Sequence, residues 1–407
     1  MRFIQTILPI QYVCRRCEKN FSKEEYEDSR FCKSCGFFLR TKTKPIDLFK
    51  DNMTLITAAE SLRQRIAHRR EYRIVPEFKQ KKKDYKNAEN WILNTEYNNA
   101  LTLEKQLSNK YKGKKLEDAI HGKVVSNEQG ECYAISETCT SSFKKTPYEE
   151  SRQIIISDLK ILYGIGPVRE HALKQKGYTT IEKLAKHPIW KKSARNFIKM
   201  IDTKEVGSIQ KWLWQRLPKS HPLLHHLAGF CNQEDFAIID IETLGLSERP
   251  IILLGIANPS GDDVCTKQFL LRDIQDEPGA IWSLISQLEP QSSMITYNGK
   301  SFDIPYIKQR LAYYGLDVAL DNPHFDLLHF TRRALRHKLE DCRLETVESY
   351  LGIKRDIDIP GALVPHFYDL YLKTGNIGPL VAIVEHNKQD LITLGTLFSK
   401  LYEEWNL

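Results

Sequence analysis

The stretch FAIIDIETLGL, residues 236–246, decides how the C-terminal half of this chain folds. It begins with a continuous apolar run, which is typical of a central strand covered on both faces. Side chains two apart on a strand point to the same side of the sheet. Asp240 and Glu242 therefore point together, while Ile239 and Ile241 pack behind them. The stretch predicts a buried strand that carries two carboxylates near its end.

Two later segments carry groups that can join this pair. Asp303 lies in TYNGKSFDIPYI (residues 296–307), and His386 and Asp390 lie in VEHNKQDLITL (residues 384–394). Residues four apart on a helix share a face. Converging carboxylates repel one another unless cations neutralise them, and oxygen ligands suit Mg²⁺ or Mn²⁺. Two such ions can activate a water and stabilise a phosphodiester leaving group, so the pattern indicates a metal-dependent nuclease.

The remaining segments of this half predict an α/β domain. IILLGIA and VCTKQFLL read as strands of an antiparallel meander, and MITYN reads as a further strand. EPGAIWSLISQLE and FDIPYIKQRLAYYG have helical periodicity, and the C-terminal segment is mostly helical. We therefore expect residues 223–407 to form a mixed sheet flanked by helices.

The charge distribution divides the chain into two halves. Residues 1–220 contain 44 Lys and Arg against 26 Asp and Glu, whereas residues 221–407 contain 16 against 26. An acidic half that approaches a polyanion needs cations in its site and a basic partner that holds the substrate. The basic half fits this role, because Lys and Arg release counterions from phosphates. A basic surface that is merely solvated is the alternative.

The composition also bears on location. No apolar stretch approaches the roughly 20 residues that span a bilayer, and the N-terminal segment lacks a small-residue cleavage site. Cysteines outside the two CxxC pairs are scattered, which favours a reducing compartment. We expect a cytoplasmic, nucleic-acid-associated protein without membrane contact. Protein partners and oligomeric state stay open.

Four of the nine cysteines form two CxxC pairs separated by 14 residues. This spacing is close to that of a tetrahedral Cys₄ zinc ribbon, and four thiolates leave no open position for catalysis. Residues 1–45 are therefore predicted to form a zinc-ribbon-like module around one structural Zn²⁺. Unrelated thiols or a redox dithiol are the alternatives. The predicted ligands are Cys14, Cys17, Cys32 and Cys35.

Between this module and the acidic half, two further regions are predicted. Residues 46–150 read as a basic helical connector with a short β-hairpin in HGKVVSNEQGECYAI. In residues 151–222 an apolar helix runs into GIGP (residues 164–167), and another helix follows. Glycines permit a sharp turn there, and the amide groups that begin the next helix can face a phosphate.

The GIGP pattern resembles the helix-hairpin-helix family of non-sequence-specific DNA-binding motifs, with Ile165 as the apolar plug. The resemblance implies that this region binds DNA, whereas a purely structural helical hairpin is the alternative. The predicted nucleic-acid contacts here are Gly164, Ile165, Gly166, Lys174 and Lys176.

The acidic segments together resemble the DEDD family of 3′–5′ exonucleases on an RNase H-like fold. The segments are DIET (residues 240–243), YNGKSFD (residues 297–303) and His386-x-x-x-Asp390. The wider context, including CRLETVESYLG and DIDIPGALVPHFYDLYLKTG, is most similar to the YprB-type group of RNase H-like exonucleases. The resemblance implies 3′–5′ removal of nucleotides by a two-metal mechanism.

The resemblance also implies roles for individual residues. Asp240, Glu242 and Asp390 bind one Mg²⁺ or Mn²⁺ ion, Asp240 bridges to a second ion with help from Asp303, and His386 is the general base. Histidine suits that role because its ordinary pKa is near neutrality. Three residues separate His386 from Asp390, whereas family members that use histidine usually have four. A helix-capping or core histidine is therefore the alternative.

Substrate contacts are predicted around these motifs: Thr243, Leu244, Tyr297, Asn298, Lys300 and Ser301. Asp326 is expected to have a structural role. DNA is favoured as the substrate because of the helix-hairpin-helix motif. An RNA-directed exonuclease and a non-catalytic DNA-binding adaptor are the alternative functions.

Overall fold

The computed structural model describes residues 88–405, apart from the single positions 142, 247, 262 and 358, and the backbone of three short strands nearer the N-terminus. Side chains are described from residue 97 onward. The chain divides into two compact units, Met1–Arg69 and Arg70–Leu407.

The first unit contains a small antiparallel sheet. Its strands are β1 (Gln11–Cys14), β2 (Asn20–Phe21) and β3 (Leu39–Lys42), with β1 in the middle. The predicted zinc ligands Cys17, Cys32 and Cys35, and the side chain of Cys14, lie outside the described residues. The zinc ribbon therefore stays a prediction.

The second unit is built on a seven-stranded mixed sheet. Its strands are β4 (Gly122–Asn127), β5 (Gly130–Thr140), β6 (Phe236–Thr243), β7 (Ile251–Ser260), β8 (Asp263–Leu270), β9 (Ser293–Thr296) and β10 (His324–Asp326). Their order across the sheet is β10-β9-β6-β7-β8-β5-β4. The pairs β10–β9 and β9–β6 are parallel, and the other pairs are antiparallel. The predicted mixed sheet is confirmed.

The hairpin predicted in residues 121–135 is present as β4 and β5, but its place in the fold differs from the prediction. The second strand of the hairpin, β5, pairs with β8 from Tyr133 to Thr140, and β4 forms the edge of the sheet. The hairpin therefore extends the C-terminal sheet and is not part of a separate connector. Sequence pattern could not show this, because the pairing joins segments that lie far apart along the chain.

Fourteen α-helices are described in the second unit. They are α1 (Ala88–Lys110), α2 (Leu116–Ala119), α3 (Tyr148–Ser157), α4 (Pro167–Gln175), α5 (Ile181–Leu184), α6 (Lys191–Asp202), α7 (Val206–Trp214), α8 (Pro222–His226), α9 (Glu277–Ile285), α10 (Asp303–Tyr313), α11 (Leu327–Ala334), α12 (Leu344–Leu351), α13 (Val364–Thr374) and α14 (Gly378–Trp405). Both helices predicted after β8 are confirmed as α9 and α10. Within the described part of the chain, none of these helices combines the length and apolar character needed to cross a bilayer.

The sheet separates two apolar layers. Alternation along β6 assigns Phe236 and Ile238 to one layer and Ile239 to the other. Helices α3 to α8 belong to the first layer, in which the rings of Phe143, Phe236 and Phe398 lie within 5.5 Å of one another between centroids. The helical region and the sheet thus share an apolar core. The domain boundaries predicted at residues 150/151 and 222/223 stay predictions.

Candidate active site

The carboxylates of β6 lie on the sheet face that α14 covers. Asp240 is paired across the sheet with Gly255 of β7. A side chain at position 255 would overlap the amide oxygen of Asn387 on α14, so glycine lets this helix approach the sheet closely. Asn387 donates from Nδ2 to Asp240 Oδ2 at 2.7 Å and to the Asp240 carbonyl oxygen at 3.2 Å. The helix therefore orients the Asp240 carboxylate.

A second amide supports this contact. Gln268 of β8 donates from Nε2 to Asn387 Oδ1 at 2.8 Å and to the Val384 carbonyl oxygen at 2.9 Å. Gln268 and Asn387 are both buried, so each amide depends on these partners. Sequence analysis missed both residues. The signal for Gln268 is a polar residue on the strand face that also carries Val264 and Leu270, whereas Asn387 has no signal beyond its position next to His386.

Helix α14 brings His386 and Asp390 to Glu242. His386 Nε2 lies 3.6 Å from Asp390 Oδ2 and 3.8 Å from Glu242 Oε1. One ligand atom from each of these residues lies within 4.8 Å of the others. The strand pair and the helix pair, which the sequence analysis placed on two separate elements, therefore meet at one point.

Asp303 joins this group from the first turn of α10. Its side chain is buried, and it is hydrogen-bonded to its own backbone and to that of Ile241 on β6. Burial, together with the charges of Asp326 and Asp390, raises the pKa of Asp303 to about 7. Asp303 therefore lies within the electrostatic reach of the other carboxylates.

The four carboxylates form a single acidic cluster. Burial, followed by repulsion from Asp390, raises the pKa values of Asp240 and Glu242 well above their ordinary range, and Asp303 raises them further. Carboxylates this close are stable as ions only when positive charge lies among them. Carboxylate oxygens with one imidazole nitrogen match Mn²⁺, and the oxygens alone match Mg²⁺. The residues present therefore fit divalent cations.

The cluster also contacts an arginine that sequence analysis missed. Arg355 follows α12 and donates from Nε and Nη2 to the Glu348 carboxylate at 2.6 and 2.9 Å. The same guanidinium contacts His386 Nδ1 at 2.9 Å and donates to Asp390 Oδ1. No periodicity distinguishes Arg355 in the polar segment IKRDID, and its contacts with α14 cross more than 30 residues of chain.

The loop after β9 is held by Asp326. This carboxylate accepts hydrogen bonds from the backbone nitrogens of Asn298 at 2.9 Å and Lys300 at 3.0 Å. It also caps α11 by accepting from the Leu328 nitrogen at 3.2 Å. Asn298 adopts a φ of 65°, which asparagine tolerates better than most residues. The geometry gives Asp326 the structural role expected from sequence.

Two of the predicted substrate contacts line a cleft of about 700 Å³ together with His386 and Asp390. These contacts are Tyr297 and Asn298. The Tyr297 hydroxyl donates to the Cys342 carbonyl oxygen at 2.6 Å, so that hydroxyl is already bound. Arginines also line this cleft: Arg332, Arg336, Arg343 and Arg355.

The other predicted substrate contacts, Thr243, Leu244, Lys300 and Ser301, are not among the residues that line this cleft. Thr243 and Leu244 follow the acidic pair on β6 and are half-buried, with the Thr243 hydroxyl donating to the Gly245 carbonyl oxygen at 2.7 Å. Lys300 places its ammonium 4.3 Å from the ring centroid of Trp214, and burial lowers its pKa to about 8. Ser301 is exposed. The Lys300 side chain is thus engaged with the helical region.

The GIGP turn has the backbone that its glycines suggest. Gly164 adopts a φ of 83°, and α4 begins at Pro167. Ile165 is buried at 5% exposure, as a plug between the helices would be. Arg169 donates to the Gly164 carbonyl oxygen at 2.6 Å, which closes the turn. These residues do not line the cleft described above. A structural hairpin and a DNA-binding hairpin share all of these features.

The two predicted lysine contacts of this region differ. Lys174 forms an ion pair with Glu170 on the same helix at 3.0 Å between Nζ and Oε1. Lys176 follows the end of α4 and is exposed. Glu170 also pairs with Lys160 at 2.8 Å, so Lys174 shares this carboxylate with a second lysine.

Comparison with known proteins assigns the C-terminal region to a superfamily. Residues 237–402 match the RNase H superfamily and form an RNase H-like domain. The chain is 36% identical over 192 residues to the uncharacterized protein YprB of Bacillus subtilis, which covers 46% of each protein. It is 26% identical over 185 residues to a DNA polymerase of Methanocaldococcus jannaschii, which covers 38% of this chain and 10% of the polymerase. The chain thus spans less than half the length of either relative.

Among solved structures, the family B DNA polymerase of Pyrobaculum calidifontis is similar over 41% of this chain and 24% of the polymerase. The sequence identity is 17% and the TM-score is 0.33.

Proposed function

We propose that this chain, with its RNase H-like domain, is a divalent-metal-dependent nuclease that removes nucleotides from the 3′ end of DNA. One observation carries the proposal: three distant segments of the chain converge on a single acidic cluster with a histidine at its edge. A folded domain has no structural need for four mutually repelling buried carboxylates. A site that binds divalent cations does have such a need.

In this proposal the carboxylates divide the work of holding two ions. Glu242, Asp390 and Asp240 would hold one ion, and the hydrogen bond from Asn387 orients the Asp240 carboxylate. Asp303, whose charge acts on Asp240, would help Asp240 to hold a second ion. When bound, two Mg²⁺ or Mn²⁺ ions supply a hydroxide-like nucleophile and neutralise the charge that develops on the leaving oxygen.

His386 is proposed as the general base. Its Nε2 lies under 4 Å from Glu242 Oε1 and Asp390 Oδ2, and His386 lines the cleft. A histidine that takes a proton there can pass it to solvent through the cleft.

The cleft supports binding of a polyanion. Arg332 and Arg336 lie exposed on one wall and supply positive charge that offsets the acidic cluster. Tyr297 and Asn298 on the same cleft are proposed to contact the terminal nucleotide, with Thr243 and Leu244 after β6. Lys300 and Ser301 remain weaker candidates, because Lys300 rests on Trp214.

DNA is proposed over RNA because of the turn at Gly164 to Gly166. Helix α4 begins after Gly166 without a side-chain cap, and residues 166–169 are exposed next to the buried Ile165, which supports an anion-binding turn. The zinc ribbon in residues 1–45 is proposed to be structural.

A time course on labelled oligonucleotides tests the proposal. The substrates are 5′-labelled single-stranded, duplex and 3′-overhang DNA and matched RNA, each with Mn²⁺, Mg²⁺ or EDTA. Wild type, Asp240→Ala and the control Asp317→Asn, an exposed acid after α10, are compared. The expected result is a metal-dependent ladder that shortens from the 3′ end and is absent only in Asp240→Ala.

The other outcomes are equally distinct. Internal cuts would retain the metal site and contradict the 3′–5′ direction. Faster turnover of RNA would favour the RNA-directed exonuclease. Tight, salt-sensitive binding without cleavage on any substrate would replace the enzyme with a DNA-binding adaptor.

A further inference from the structure

The Arg355 guanidinium is paired with the buried carboxylate of Glu348 on the side away from the acidic cluster. Its Nε and Nη2 both donate to Glu348, and the exposed fractions of the two side chains are 5% and 4%. Glu348 Oε1 also accepts a hydrogen bond from the hydroxyl of Thr393 on α14. The Glu348 carboxylate therefore anchors the guanidinium, because two-point pairing defines its plane.

The front of the same guanidinium faces the acidic cluster. Nη2 donates to Asp390 Oδ1, and Nη1 lies 2.9 Å from His386 Nδ1. A guanidinium has only donors, so Nδ1 must be the accepting nitrogen of that pair. A neutral His386 ring then carries its proton on Nε2, the atom that faces Glu242 and Asp390. In this arrangement Nε2 has no lone pair with which to accept a proton from water.

We propose that Arg355 is a positioning residue that acts as an internal competitor of the divalent cation: it neutralises Asp390 and holds His386 in the non-basic tautomer until a cation displaces it. This inference rests on the proposed function. A cation at Asp390 and the guanidinium repel each other across one carboxylate. Loading of the cation therefore loosens the contact with Nδ1, and His386 becomes free to carry its proton on Nδ1 and to use Nε2 as a base.

The first test measures Mn²⁺ affinity by electron paramagnetic resonance, without substrate. Arg355→Ala is expected to bind Mn²⁺ about tenfold more tightly than wild type, because one positive charge next to the ion is removed. Arg343→Ala removes an equal charge from the same cleft, where Arg343 pairs with Asp341, and is expected to leave the affinity unchanged. Equal or weaker Mn²⁺ binding by the folded Arg355→Ala protein would overturn the proposal.

Arg355→Ala leaves Glu348 without its cation and can fail to fold. The double variant Arg355→Gln with Glu348→Gln removes both charges and retains neutral hydrogen-bonding groups, so it is the safer form of the same test. It is expected to bind Mn²⁺ more tightly too. Arg355→Lys keeps the charge and is expected to retain wild-type affinity. A general loss of site structure would weaken Mn²⁺ binding in every variant, which contradicts the proposal.

The second test observes His386 directly. In protein with ¹⁵N-labelled histidine, the His386 ring is identified as the signal missing from His386→Gln. Before addition of metal, its proton is expected on Nε2, and titration with diamagnetic Mg²⁺ is expected to shift it toward Nδ1. A proton on Nδ1 from the start would refute the competition.

Failure of the proposed function looks different. In that case wild type neither binds Mn²⁺ at the cluster nor cleaves nucleic acid, and Asp240→Ala changes neither result. If wild type binds Mn²⁺ and cleaves nucleic acid while the Arg355 variants behave like wild type, the proposed nuclease function is retained. Only the proposed role of Arg355 is then rejected.

Discussion

Two arginines with buried side chains, Arg310 and Arg355, stand in opposite electrostatic situations. Arg310 on α10 pairs with Glu277 on α9, and Glu277 also accepts from the Ile251 nitrogen at 2.9 Å and from the Tyr314 hydroxyl. The Glu277 carboxylate is thus paired with one guanidinium and accepts further hydrogen bonds from a backbone N–H and a tyrosine hydroxyl. Arg355 instead faces Glu348 and Asp390 at the edge of a cluster of further carboxylates. The first site is balanced, whereas the second has an excess of negative charge.

This difference separates stability from function. A balanced buried pair with satisfied hydrogen bonds holds elements in register and leaves nothing for a ligand. An acidic cluster with one arginine is costly to fold and retains its need for cations. Acids at the two sites should therefore respond in opposite ways to the same type of substitution.

The largest effect is expected from Glu242→Gln. This change keeps the shape of the side chain and removes one repelling charge, so the folded state should be as stable as wild type or more stable. Nuclease activity should fall by at least about 10³-fold, because groups that act as a unit lose most of the rate when one is removed. Rates on 5′-labelled DNA and urea unfolding measure the two quantities. Loss of stability with retained activity would contradict this prediction, because Glu242 would then serve the fold rather than the reaction.

Glu277→Ala is expected to do the opposite. It removes the carboxylate that neutralises buried Arg310, and loss of one partner of a buried pair costs about 3–5 kcal/mol of unfolding free energy. Activity per folded molecule should stay near wild type, because Glu277 is hydrogen-bonded to Arg310, Ile251 and Tyr314 and thus serves α9, α10 and the start of β7. Urea titrations with a parallel assay at low temperature measure both. A matched loss of activity in fully folded protein would show that the balanced pair also serves the site.

Asp303→Asn tests the excess negative charge of the acidic cluster through the pH dependence of stability. The pKa of Asp303 in the folded state is about 7, above its ordinary value near 4, so ionisation of this residue opposes folding. Its cost is fully present above pH 7 and disappears as pH falls from 7 to about 4. In EDTA the variant should thus be more stable than wild type by up to about 4 kcal/mol at pH 8, using 1.36 kcal/mol per pKa unit, and equal at pH 4.

Thermal unfolding of wild type and Asp303→Asn across this pH range measures the difference. Asp263→Asn, at a half-buried acid that begins β8, provides the control and should show no such trend. A stability gain that is constant with pH would argue that packing, rather than charge, is responsible.

A smaller effect than any of these is expected from Asn387→Ala. The amide orients Asp240 without carrying charge, and loss of groups that support a metal ligand typically costs 10–100-fold in metal affinity or activity. Isothermal titration with Mn²⁺ and the cleavage rate should fall together within that range. Gln268→Ala, one step further from Asp240, should have a weaker effect. An unchanged Mn²⁺ affinity in Asn387→Ala would mean that the strand alone orients Asp240.

Sequence patterns predicted much of the C-terminal fold because its signals are local. The apolar run before Asp240, the meander of β7 and β8 and the periodic helices α9 and α10 depend on neighbours within a few residues. The pairs Asp240 with Glu242 and His386 with Asp390 follow from strand and helix periodicity in the same way. The zinc ribbon and the DNA-binding role of the GIGP turn stay predictions of this kind.

The sequence by itself determined the elements of the nuclease-like domain and the acidic residues that they carry, because side-chain periodicity is built into each strand and helix. Only the tertiary structure decided that β4 and β5 join the sheet, that Asn387 and Gln268 orient Asp240, and that Arg355 reaches Asp390. These contacts join residues that are distant along the chain, and a hydrogen bond between distant residues leaves no repeat in the sequence. Their partners are set by the packing of α14 against the sheet, which glycine at position 255 permits.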